Sequence, residues 1–123
     1  MNAWFLSAAG VAALICVIHI VAGGREAVRP LLASTEINRS AKYTHYYCWH
    51  LVTITIAALA AAFAYASRSG ASSDLAVLAT GMSFLFALLN IVQVAIFRLP
   101  MKEFGQWILF LGLGLLGIAG LLT

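Results

Sequence analysis

The sequence predicts an all-α integral membrane protein, a four-transmembrane-helix antiparallel bundle. Three observations carry that prediction. Only 9% of the 123 residues are charged and 63% are hydrophobic, whereas a soluble domain carries about a quarter charged residues to keep its surface wetted. The mean hydropathy is +1.00. The few charges are also segregated, leaving Met1 to Gly24, Tyr43 to Ser67, Leu75 to Phe97 and Phe104 to Thr123 free of charge. Each run reaches the roughly twenty residues that cross a hydrocarbon core about 30 Å thick. The chain is expected to form one domain over residues 1–123, with spans near 3–23, 43–67, 75–97 and 103–122.

The first run has no Lys or Arg ahead of it and is longer than the apolar core of a typical signal peptide, so it reads as a retained helix. Gly23-Gly24 is its expected stop, because glycine fits a helix C-terminus. The Arg29-Pro30-Leu31-Leu32 stretch then suggests a turn and a short interfacial helix, with Pro30 in the first turn. Ser40 is the expected N-cap of the second helix. That helix opens with Tyr43, Tyr46, Tyr47 and Trp49, an aromatic cluster suited to the headgroup level. A turn over residues 69–74 leads to the third helix, capped by a serine or Asp74. The short Arg98-Leu99-Pro100 connection makes the third and fourth helices an antiparallel hairpin.

The net charge of +3 reflects topology rather than nucleic-acid binding. Arg25, Arg29, Arg39 and Lys42 lie between the first two spans and Arg98 and Lys102 between the last two, with Arg68 alone in the middle connection. By the positive-inside rule both outer connections are cytoplasmic and both termini extracytoplasmic, in a bacterial inner membrane. Small residues supply the packing code. The second helix carries Ala57, Ala58, Ala60, Ala61, Ala62, Ala64 and Ala66, and the fourth Gly112, Gly114, Gly117 and Gly120. Such residues allow close approach in lipid, where no hydrophobic drive operates between helices.

Ionisable side chains inside apolar spans are costly and mark sites. His19 lies near the end of the first span and His50 near the start of the second, so antiparallel pairing puts both about 6–8 Å from one membrane face. His50 and Thr53 share a face that continues through Ala57 and Ala61 or Ala64, and the pattern predicts that this face points inward. Asn90 and Gln93 form an i,i+3 pair about 7–12 Å from the Arg98 end of the third helix, and Gln106 opens the fourth. Every strongly hydrogen-bonding side chain in the spans thus falls in one half of the bilayer.

Several chemistries fit. Paired histidines on facing helices ligate haem in four-helix b-type cytochromes. Imidazole and thiolate together suit a transition metal, and Cys16-x-x-His19 and His45-x-x-Cys48 each put both ligands on one helix face. His45 and His50 are about 140° apart, so they do not both point inward; His45, beside Tyr46 and Tyr47, reads better as interfacial. A quinone or lipid headgroup held by His, Asn and Gln donors, with Arg25 and Arg29 attracting an anionic part, is a third option. Glu26 is placed to orient a histidine or to pair with Arg25 or Arg29 at the surface.

The expected function is therefore a small polytopic membrane protein with an intramembrane polar site at His19 and His50, binding a metal, haem or small ligand. A role as an accessory subunit of a membrane complex, or a homo-oligomer, is compatible with it. The alternatives are a structural subunit whose polar residues only clamp helices, and a small enzyme or transporter. The first span has no acidic residue, which separates the chain from small four-helix multidrug exporters. His19-x3-Gly23-Gly24, Arg29-Pro30-Leu31-Leu32, Trp49-His50-Leu51 and Gln106-Trp107 resemble the pattern of a group of small four-helix bacterial inner-membrane proteins. That resemblance spans most of the chain and implies no activity, only that these positions form one unit.

Overall fold

The computed structural model describes residues 1–123 and is wholly helical. Helix α1 runs over Ala3–Ala33, α2 over Arg39–Ala66, α3 over Asp74–Phe97 and α4 over Gln106–Leu121. They form an antiparallel bundle in which α1 packs on α2 and α4, α3 packs mainly on α4, and α2 and α3 meet most loosely. The first three helices are long and apolar enough to cross a membrane. Helix α4 is apolar but has 16 residues, about 24 Å at 1.5 Å per residue, less than a full hydrocarbon thickness. The shortfall arises because the α3–α4 connection occupies residues 98–105, where Glu103 and Phe104 N–H both donate to the Pro100 carbonyl. Arg98 closes α3 in the left-handed region at φ 50°.

The first helix does not stop at its glycine pair. From His19 to Val28 the backbone widens into a π-helix and then narrows again over Arg29–Ala33. The wide ladder reaches Arg29, whose N–H bonds Gly24 O. Pro30 has no N–H for the next such bond, so the ladder ends there. Gly23 is thus used to admit the Trp49 ring rather than to end the helix.

Two connections are held by side chains. Lys42, in the first turn of α2, donates to Leu32 O at 3.2 Å and to Ser34 O, covering carbonyls at the C-terminus of α1; a cation there also suits the helix dipole. Asn38, rather than Ser40, caps α2 by accepting from Ala41 N–H. At the opposite end Asn2 joins three helices. Its Oδ1 accepts from the Trp4 and Phe5 N–H groups at 3.0 and 3.1 Å, its Nδ2 donates to Gly120 O at 2.8 Å, and its own N–H donates to Ser67 O at 2.8 Å.

The core is built by large side chains entering gaps. Ile56, Leu59 and Phe63 of α2 share one buried core with Ala8, Ala9 and Ala12 of α1. Three of the four α4 glycines work as expected: a Cβ on Gly114 would meet the Phe84 ring at 2.9 Å, and Cβ atoms on Gly117 and Gly120 would collide with Thr80 and Phe5, whereas Gly112 is exposed and a Cβ there would meet nothing within 4 Å. Of the α2 alanines, Ala66 is buried and Ala60 and Ala62 pack against the core, but the face expected to continue from His50 departs from expectation. Ala57, Ala61 and Ala64 are exposed, while Trp49, Thr53, Ile56 and Phe63 turn inward. The small surface at the α1–α2 contact belongs to α1, so the large face of α2 is the one that fits it.

Asn2→Ala removes a helix cap worth about 1 kcal/mol and the bridge to α4, and it is expected to lower the melting temperature in detergent. Asn2→Asp, which keeps the cap but cannot donate to Gly120 O, is expected to lose less. Circular-dichroism melts of both variants check this ordering.

Candidate functional site

Two constellations occupy the basic end of the bundle. The first lies between α1 and α2. His19 and Gly23, four residues apart on α1, flank the indole of Trp49. The imidazole stacks on it with ring centroids 3.7 Å apart and planes 18° from parallel. A Cβ on Gly23 would lie 2.5 Å from Trp49 Cη2, so glycine is what admits the ring. His19 Nε2 also lies 3.4 Å from the Trp49 carbonyl, which accepts from Thr53 Oγ1 at 3.1 Å. One turn earlier, Cys16 Sγ faces the Thr53 carbonyl at 3.8 Å. Three motif positions, His19, Gly23 and Trp49, thus form one packed contact in which the indole is central.

His50 takes no part in it. The residue is exposed, and its ring sits edge-on to Tyr46 at 4.5 Å. The inward direction expected for His50 is corrected by one helical step of about 100°: Trp49 holds the inward place because an indole fills the Gly23 gap. His45, Cys48 and Glu26 are exposed as well. No three His, Cys, Asp or Glu side chains come together to hold a metal ion, so the thiolate–imidazole sets suggested by spacing are not assembled. Both cysteines are free.

The second constellation is a groove of about 380 Å³ between α2, α3 and α4. Its apolar walls include Leu51, Leu89, Phe86 and Phe110, the last two an edge-to-face pair 5.3 Å apart. Thr55, Asn90, Gln93 and Gln106 supply its polar groups. Asn90 is half committed: its Oδ1 accepts from Trp107 N–H at 3.1 Å. Helix α4 has glycine at its N-cap position and no capping side chain of its own, so Asn90 provides the cap from the neighbouring helix. A backbone N–H must meet the amide oxygen, which leaves Asn90 Nδ2 as a donor. Thr55 Oγ1 donates to Leu51 O at 2.8 Å and retains its lone pairs. Gln93 and Gln106 are exposed, one on each side of the groove. No charged residue lines it, and a smaller apolar gap of about 170 Å³ adjoins it at Thr55 along the α2–α3 seam.

The structure therefore brings Asn90, Gln93 and Gln106 together as expected, but in a different gap from His19. Thr55 was not singled out in the sequence, and Trp49 was placed at the headgroup level rather than in a packed contact. The spacing His19-x3-Gly23 signals a slot for a ring, and the Trp49 assigned to the headgroup belt is the ring that fills it. No protein-family model matches the chain, and neither does any curated protein or solved structure.

Gly23→Leu should expel the indole, red-shift part of the tryptophan emission and loosen the α1–α2 contact; Gly24→Ala, where a Cβ meets nothing within 4 Å, should leave the emission unchanged. Separately, Asn90→Leu is expected to cost about 1 kcal/mol of stability by uncapping α4, as measured by thermal or denaturant unfolding in detergent.

Proposed function

We propose that this is a small membrane protein that binds a neutral amphiphile in the α2–α3–α4 groove. The observation that carries this reading is the presence of Gln93 and Gln106 in an apolar groove, each on a helix already packed by other residues. Amides in hydrocarbon seek partners, and the one groove amide with a structural partner, Asn90, still offers an N–H. A ligand head with a carbonyl or hydroxyl oxygen would accept from these donors. The apolar seam running on past Thr55 would take its hydrophobic part. The absence of charge on the walls disfavours a carboxylate or phosphate head at this position. Small-molecule sites commonly combine such apolar walls with a few converging polar groups.

This reading replaces a paired-histidine metal or haem site as the leading one, since His19 is engaged by Trp49 and His50 is exposed. A membrane location in a bacterial inner membrane, with the basic end cytoplasmic, is part of the proposal. It rests on Arg25, Arg29, Arg39, Lys42, Arg98 and Lys102 at one end against Arg68 at the other. Reporter fusions at the two termini test that orientation; termini found in the cytoplasm would reverse it.

Native mass spectrometry of the protein, extracted in mild detergent, should show one neutral amphiphile per chain. Gln93→Leu combined with Gln106→Leu should lower its occupancy by about tenfold, as expected for two membrane hydrogen bonds, with little change in stability. A ligand-free wild type, together with a double variant that is less stable, would instead assign both glutamines to helix clamping.

A further inference from the structure

Beyond the groove, a second concave surface lies where α1 passes into α2, at the membrane–water boundary. It encloses about 460 Å³ and is lined by residues of the connection and of the flanking helix ends. Its composition is unlike that of the groove. Arg39 and Lys42 bring two cations, Ser34 and Thr35 two hydroxyls, and Leu32 and Ile37 an apolar wall. No carboxylate lines it; Glu36 belongs to the same connection but lies outside the walls.

The two cations are held differently. The Lys42 ammonium is fixed by the Leu32 and Ser34 carbonyls, which takes two of its three N–H donors and leaves one. Its position is therefore set by the backbone rather than by a flexible stem. Arg39 is exposed, and its guanidinium is a fork suited to two oxygens of one phosphate. Leu32 is 38% and Ile37 40% exposed, so the apolar side of the cavity faces outward beside the cations. Tyr43, also in the lining and exposed, is a residue typical of the headgroup level.

We propose that this corner binds an anionic phospholipid, its phosphate taken by Arg39 and Lys42 and its glycerol and upper acyl carbons by Leu32 and Ile37. A soluble phosphate would use the cations and hydroxyls but leave the apolar wall bare, and it is this wall that selects the lipid. Polybasic segments beside a span are drawn to anionic leaflets generally. The feature added here is a walled position in which one cation is pinned by main-chain carbonyls.

The test uses the full chain, delipidated in detergent and offered phosphatidylglycerol or phosphatidylcholine, with retained lipid measured by native mass spectrometry. Wild type should prefer phosphatidylglycerol, and Arg39→Gln should reduce that preference by about fivefold, the value of one basic residue near an anionic surface. Arg39→Lys should keep much of it. Arg68→Gln, an equal charge change at the other end of the bundle, should keep all of it. Helix content by circular dichroism confirms that each variant is folded. The proposal fails if Arg68→Gln lowers the preference as much as Arg39→Gln, because bulk charge then suffices. It also fails if Arg39→Gln has no effect, or if inorganic phosphate displaces the lipid.

Discussion

Inside hydrocarbon, two apolar helices gain nothing by leaving water, so their association depends on how closely their surfaces fit and on hydrogen bonds across them. In this bundle the fit is achieved by one device used repeatedly: a ring or branched side chain enters a place where the neighbouring helix has almost none. Trp49 sits at Gly23, Phe84 at Gly114, Thr80 at Gly117 and Phe5 at Gly120. Ile56 and Phe63 are likewise buried with Ala8, Ala9 and Ala12. Helix α1 takes part on both sides, receiving Trp49 of α2 at Gly23 and offering Phe5 to Gly120 of α4. The polar architecture follows from this, since the faces turned inward are chosen by size.

The π-helical stretch of α1 belongs to the same arrangement. It begins at His19, the residue that stacks on Trp49, and contains Gly23, the residue that admits it. Widened turns are rare and cluster at functional or strained places. Here the widening coincides with the insertion of the largest side chain of α2 into α1. Lys42 and Asn38 then secure the far side of the connection, and Asn2 ties three helix ends at the opposite pole.

Polar side chains within the spans divide into those used to hold the bundle and those left over. Asn90 caps α4 from α3, Thr53 and Thr55 bond back to their own helix, and His19 stacks on Trp49. The Thr80 hydroxyl and the Trp107 indole N–H are buried without a partner, and Gln93 and Gln106 face a groove at the loosest seam of the bundle. That the seam between α2 and α3 is loose follows from the same size rule, because α3 commits Thr80 and Phe84 to the glycines of α4.

The helical membrane architecture, the number of helices and the clustering of polar groups at the basic end were all legible in the residues. Composition and charge segregation report how much of the chain avoids water, and antiparallel pairing of successive helices sets depth. Gly114, Gly117 and Gly120 of α4 were legible for a related reason, since a missing side chain has one use in a helix contact. The end of α1 was not, because Gly23-Gly24 reads as a stop, whereas the structure uses Gly23 to admit the Trp49 ring. The direction of His50 was not legible either. Residues 49 and 50 differ by about 100° of helix rotation, and the alanines following His50 make a plausible contact face. Only the small surface of α1, present in three dimensions, decides that Trp49 and the large face of α2 turn inward. The residues alone set which parts of the chain avoid water and that the polar groups gather at the basic end. The tertiary structure decided which face of each helix is buried, because that choice depends on the shape of a neighbour far away in the chain.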